Sequence, residues 1–175
     1  MKVIILNLLL LSFYFAQGQY YYIPYLDDQG VPGQYNTQVA IPANTLSSSW
    51  TQIQGSSPTP VWSNIQNLPF PFEFNGQPVS QYKVSTSAIL TFDVNTTVVP
   101  DTIAQSLPSS QIPDMSVCIW GINGAGSNDA IVTRTYGSSP YREHWIFFPS
   151  YSMGSGFTYW SIMLEEGTNE LGRSA

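Results

Sequence analysis

LPFPFEFNGQPVSQYKVSTSAILTFD, residues 68 to 93, decides the fold class. Phe70, Phe72 and Phe74 fall on one side of an extended chain and Pro69, Pro71 and Glu73 on the other, because successive side chains of a strand point to opposite faces. Proline has no amide proton to give a neighbouring strand, so the proline side belongs at an edge or in a bulge. Asn75 and Gly76 supply the left-handed conformations of a tight turn. Beyond it Tyr82, Val84, Ala88, Leu90 and Phe92 keep one parity, while Gln81, Lys83, Ser85, Ser87, Thr91 and Asp93 keep the other. A slip of one residue would expose the whole apolar set, which fixes the register and predicts a sheet with one face in the core. Ile89 breaks the alternation and predicts either a covered patch on the second face or a bulge near Thr86 to Ala88.

The flanking sequence extends this pattern. Residues 20 to 42 mix aromatic residues with Pro and Gly and read as an edge strand and loops. SSSWTQIQ, residues 47 to 54, reads as a short strand, and GSSPTP after it as a turn. PDTIAQSLPS offers at most a connecting helical turn capped by Asp101 and stopped at Pro108. MSVCIWGI, residues 115 to 122, is apolar on both faces and reads as a central strand. GINGAGSNDA follows as a loop, then strands near 130 to 136 and 141 to 148 form a hairpin. FTYWSIMLEE, residues 157 to 166, alternates again with Trp160, Ile162 and Leu164 on one side. Seven to nine strands punctuated by turns predict an all-β chain, an antiparallel β-sandwich of jelly-roll or immunoglobulin-like kind.

The chain opens MKVIILNLLLLSFYFAQGQ, a lysine followed by a short apolar run and small residues, which predicts a secretory signal peptide over residues 1–18. Its apolar run is shorter than the roughly 20 residues of a spanning helix, so no membrane span is expected after its removal. The remaining 157 residues suit a single sandwich domain over 19–166. Residues 167–175 are polar and stop where the last strand would turn back, as in a truncated continuation or a free tail.

Charged residues make up 9% of the sequence and the formal net charge is -6. Five basic residues cannot build the cationic patch that nucleic acid requires. Cys118 is the single cysteine, which rules out an intrachain disulfide and leaves a small buried hydrophobe flanked by Val117 and Ile119.

Candidate chemistry is sparse. His144 is the single histidine and lacks a nucleophile motif, so no catalytic residue is assigned and a non-enzymatic chain is expected. One Cys and one His do not make a zinc site, and no cofactor is expected. Glu165 and Glu166 are adjacent and project to opposite faces, unlike the facing carboxylates of glycosidases. Asp27 and Asp28, and Asn128 with Asp129, sit in turns with oxygen ligands but without the ladder of a calcium loop. The glycines at 121, 124 and 126 lack the Lys-Ser or Lys-Thr of a phosphate loop. Asn95 in NTT satisfies the glycosylation rule, which matters only in a eukaryote. The lack of disulfides in an exported chain points instead to a bacterium. Of the tryptophans, Trp120, Trp145 and Trp160 are expected in the core, whereas Trp50 and Trp62, with Tyr136 and Tyr141, are candidates for a ligand surface.

The 68–93 segment resembles that of nidogen-like and related extracellular sandwich domains, where an apolar "LPF-F-F-G" strand precedes a "V-S-NG-L-F" strand. Ser87 and Ala88 stand here where that pattern has Asn and Gly. SVCIWG and YWSIMLEE look like the amino-terminal module of large Bacteroidota proteins that carry a type IX secretion sorting domain at their far end. The resemblance implies export and cell-surface display, and it carries no catalytic residues. The expected function is a noncatalytic module for adhesion, recognition or spacing in a larger secreted or surface protein, with an unknown extracellular protein or glycan as partner. The alternative is a carbohydrate-binding module or carbohydrate-active domain.

Overall fold

The computed structural model describes residues 49–99, 101–103, 106–119, 122–153, 156–167 and 171–174. The leader, residues 20 to 42, Asp27, Asp28, Trp120 and Gly121 lie outside the described residues. Two antiparallel sheets make up the sandwich. β2 (Gln66–Phe74), β3 (Gln77–Val84), β4 (Ile89–Thr91) and β5 (Ser116–Cys118) form the small sheet in that order. The large sheet runs β1 (Thr51–Gly55), β6 (Ala130–Tyr136), β7 (Glu143–Met153), β8 (Gly156–Glu165) and β9 (Leu171–Ser174). Within each sheet neighbours follow one another in the chain, and β1, beside β6, is the exception.

The Phe-Pro strand behaves as its residues require. Phe70 and Phe72 are buried and Pro71 and Glu73 exposed. β2 lies at the end of the small sheet, and its register with β3 shifts between Asn67 and Phe72, the interval that contains both prolines. Asn75 and Gly76, at φ 51° and 68°, close the β2–β3 hairpin between the paired Phe74 and Gln77.

Tyr82, Val84, Leu90 and Val117 of the small sheet meet Ile131, Ile146, Phe148, Ile162 and Leu164 of the large one in a single core. Burying a Val, Ile, Leu or Phe side chain is worth about 1.5–3 kcal/mol, so this interface supplies the main attraction between the sheets.

Three expectations are corrected. Where β3 runs into β4 the second face does not meet water: Lys83, Ser85, Ile89 and Thr91 are all buried, while Gln81 earlier on β3 is exposed. The loop after β4 covers it, with the Lys83 ammonium donating to the Thr96 carbonyl at 2.5 Å and the Trp62 indole N–H to that of Val98 at 2.7 Å. The apolar segment around Cys118 is not central, since among the described residues β5 pairs with β4 alone. Its two-sided apolar character reflects the same cover, as Cys118 lies opposite Ile89. Finally, the polar tail does not hang free, because Leu171–Ser174 pair with Ser161–Leu164.

Ile89 is out of step for the first of the two expected reasons, and a turn stands where a bulge was the alternative. It belongs to the covered patch, and the chain before it makes a turn in which Ala88 adopts φ 61°. That turn is buried, so its polar groups must find protein partners. Thr86 N–H donates to the Val61 carbonyl, and Thr86 Oγ1 accepts from Val61 N–H. The Thr86 carbonyl accepts from Gly124 N–H, and that of Ala88 from Ile119 N–H. Ser85 and Ser87 hydroxyls bond each other at 2.7 Å.

The left-handed region costs a residue with a Cβ about 1–2 kcal/mol. Ala88→Gly is therefore expected to leave stability unchanged or raise it by up to about 1 kcal/mol, strain relief offsetting the loss of one buried methyl. Ala88→Val should cost about 2 kcal/mol or more. Urea unfolding of both variants checks this, and a destabilised A88G beside a tolerated A88V would contradict it.

Candidate functional site

The outer face of the large sheet gathers most of the chemistry. Strand pairing arranges it in rows: Val132, Phe147 and Ser161; then Arg134, Trp145 and Met163; then Tyr136, Glu143 and Glu165. Trp50, just before β1, packs on Phe147 with centroids 5.6 Å apart and meets Tyr136 edge-on at 6.2 Å. Tyr136 in turn meets Trp145 edge-on at 6.4 Å. The Arg134 guanidinium lies 4.2 Å from the Tyr136 ring centroid, and the Trp145 indole N–H donates to Glu143 Oε2 at 3.0 Å. Aromatic rings thus occupy the middle of this face, with one cation and two carboxylates beside them.

The four candidate ligand residues do not share one surface. Trp50 and Tyr136 come together. Tyr141, 79% exposed, belongs to the β6–β7 connection, and its N–H donates to the Ser138 carbonyl. Trp62 lies on the opposite sheet, bridged to Ser85, with the Lys83 ammonium 5.1 Å from its ring centroid. It clamps a loop instead of being displayed. Trp160 packs against the core as expected, but Trp145 is buried on the outer face of the large sheet, not between the sheets.

Glu143 opposite Glu165 escaped the sequence reading, which compared Glu165 only with its neighbour Glu166. Finding the pair required the β7–β8 register, which shifts between Phe148 and Tyr151. Glu166 is no solvated strand end either. It is 8% exposed and receives the Arg142 guanidinium in a two-point bridge, Nη2 to Oε1 at 2.6 Å and Nε to Oε2 at 2.7 Å. Those bonds pull its carboxyl down to about 2. Arg142 also lies 5.5 Å from the Phe70 ring centroid, which ties the β6–β7 hairpin to the small sheet.

The glycine-rich loop folds around Asp129. This carboxylate is buried and accepts from Gly126 N–H at 2.7 Å, and a Cβ at Gly126 would stand 2.7 Å from Asp129 Oδ1. The turn is thus a structural cap and not a solvated one, while Asn128 is exposed. Cys118 is partly buried, and burial pushes its thiol up to about 12.

His144 points into the sandwich from β7. Its Nε2 is 2.7 Å from the Tyr82 hydroxyl of the opposite sheet, and its Nδ1 is 2.9 Å from the Thr135 hydroxyl. A neutral imidazole has one donor and one acceptor nitrogen, so either tautomer satisfies both hydroxyls. Burial holds the imidazole down to about 4 and pushes the Tyr82 phenol up from its ordinary value. Among the described residues no group of three His, Cys, Asp or Glu side chains is placed to hold a metal ion.

A family-model comparison matches residues 34–172 to the family described as NIDO related. The chain belongs to the NIDO-related family. No curated protein matches the chain, and no solved structure does. The matched span of this NIDO-related domain takes in all nine described strands but the last two residues of β9. No helix among the described residues is long and apolar enough to cross a membrane.

The two shifted groups give the domain an acid side with a defined sign. His144 is neutral in the folded domain down to about pH 4 but takes a proton near pH 6.5 when unfolded. Unfolding therefore binds a proton between those values, and stability should fall as pH drops from 6.5 to about 4, by about 3 kcal/mol when complete. Glu166 adds a second loss as pH falls from about 4.5 toward 2. Urea midpoints measured across pH 2 to 7 check this. His144→Gln should flatten the upper window and Glu166→Gln the lower, and unchanged slopes in both variants would contradict the assignment.

Proposed function

We propose that this NIDO-related domain is a noncatalytic extracellular module that serves recognition or adhesion within a larger secreted or surface protein. The observation that carries this reading is the outer face of the large sheet, where Trp50 and Tyr136 converge beside Arg134. Aromatic residues and Arg are the side chains that dominate protein-binding hot spots. The family also favours an extracellular setting. The engagement of His144 by two hydroxyls, one from each sheet, fits a structural histidine better than a general base.

Two observations favour glycan as the ligand class in a second reading. Trp50 and Tyr136 lie on one surface, and Glu143 faces Glu165 across β7 and β8 on that same surface. Facing carboxylates are the residue type that glycoside hydrolysis uses. Against it, the 75° angle between the Trp50 and Tyr136 rings gives no flat stacking platform, and Arg134 occupies one face of Tyr136.

The purified mature domain should bind a panel of immobilised extracellular-matrix proteins in a manner weakened at least tenfold by Trp50→Ala or Tyr136→Ala and unaffected by Tyr141→Ala. Equal binding by all variants would remove the large-sheet face from consideration. A glycan array read in parallel decides the class: signals lost in W50A would favour sugar recognition, and turnover lost in Glu143→Gln or Glu165→Gln would make the module an enzyme.

A further inference from the structure

We infer that Asn75 is a site of spontaneous deamidation in the folded domain and that the fold protects Asn123, which sits in the same dipeptide. Asn-Gly occurs twice in the chain, at 75–76 and at 123–124. A glycine after asparagine leaves its amide nitrogen unshielded by a Cβ, so both pairs carry the same intrinsic chemistry. The structure sets them apart.

Asn75 and Gly76 are exposed at the tip of the β2–β3 hairpin, and a Cβ on Gly76 would meet nothing within 4 Å. The ladder bonds of such a two-residue turn belong to the flanking Phe74 and Gln77, which leaves the Gly76 N–H to water. β2 lies at the end of its sheet, its register with β3 shifts between Asn67 and Phe72, and Pro78 has no N–H to give. A hairpin end of this kind opens locally, without the core. Ring closure swings the Asn75 peptide out of its left-handed turn, φ 51°, so this opening is the step that admits the reaction.

Gly124 is buried. Its N–H donates to the Thr86 carbonyl at 2.9 Å, and its carbonyl accepts from Ser57 N–H at 2.8 Å. A Cβ there would stand 2.7 Å from the Tyr151 hydroxyl oxygen, and Asn123 Oδ1 is itself buried. The nitrogen that must attack is bonded into the buried turn at Thr86 and is released only when that turn comes apart.

The conversion consumes water and releases ammonia, with no redox change. The Gly76 nitrogen gives its proton to hydroxide and bonds to Asn75 Cγ. The Cγ–Nδ2 bond breaks, and ammonia leaves with the electron pair and a proton from solvent. Water then opens the succinimide ring. Cleavage at Cγ leaves aspartate, and cleavage at the backbone carbonyl carbon leaves isoaspartate, in which the main chain runs through the side chain. Isoaspartate lengthens the backbone of a tight turn whose neighbour Phe74 packs on Phe92, with centroids 4.9 Å apart. Chemical ageing of the domain therefore begins at the β2–β3 edge.

The test is peptide mapping by mass spectrometry of the full chain held in mildly alkaline buffer, in parallel with and without denaturing urea. In the native chain Asn75 should convert to aspartate and isoaspartate at least tenfold faster than Asn123, and in urea the two should convert at similar rates. Similar rates at both sites in the native chain would overturn the proposal by denying protection by the fold. A tenfold ratio that survives in urea would also overturn it, by tracing the difference to local sequence. So would a native Asn75 that stays intact while the unfolded chain converts.

Discussion

A turn with no access to water sets the terms for the rest of this domain. Ser85 to Ala88 link β3 to β4 at the centre of the small sheet, and Ser85, Thr86, Ser87 and Ala88 are all buried. An unsatisfied buried backbone group costs about 1–3 kcal/mol, so the turn can exist only where other parts of the chain meet its donors and acceptors. Val61 does so from the β1–β2 connection, and Ile119 and Gly124 from the two ends of one stretch between β5 and β6. These bonds draw the segment before β2, the end of β5 and the glycine-rich loop to one point. The glycine-rich loop is shaped for that task by Asp129, which accepts from Gly126 and fixes the curve that brings Gly124 to Thr86.

From that point outward the two sides of the small sheet differ. Inward, Tyr82, Val84 and Leu90 join the large sheet in an apolar core crossed by the Tyr82–His144 hydrogen bond. Outward, Lys83, Ile89 and Thr91 lie beneath a loop that Lys83 and Trp62 hold down. The small sheet is thus covered on both faces around β4, while Pro71, Glu73 and Gln81 toward β2 stay exposed. The large sheet carries on its second face a grid of aromatic and charged side chains capped by Trp50, in which Val132, Trp145, Phe147 and Met163 are buried as well, and a recognition role is proposed at the exposed Tyr136 beside Trp50 and Arg134.

The sequence made the inward half legible. Phe70, Phe72, Tyr82, Val84, Leu90 and Phe92 share a parity, and that parity is the core face. The Asn75–Gly76 turn and the disturbance at Pro69 and Pro71 were readable because each rests on a backbone property of one residue type. The outward half was not legible: Lys83, Ser85 and Thr91 look like solvated positions, and their burial depends on a loop whose anchors, Thr96 and Val98, act through backbone carbonyls. Pairing of Glu143 with Glu165 and of Arg142 with Glu166 likewise depends on register and loop closure, which composition does not encode. Ala88 is the instructive case. The nidogen-like pattern has Gly where this chain has Ala, and the left-handed backbone at that position is the physical reason a glycine suits it.

Native-state hydrogen exchange at the buried turn tests the account most directly. If the turn is the point on which the fold closes, the Thr86, Ala88, Ile119 and Gly124 amides should exchange only through global unfolding, with the same opening free energy as Ile146 and Leu164 in the large sheet. Exchange of Thr86 and Gly124 through a local opening, a hundredfold or more faster than those strand amides under native conditions, would contradict it.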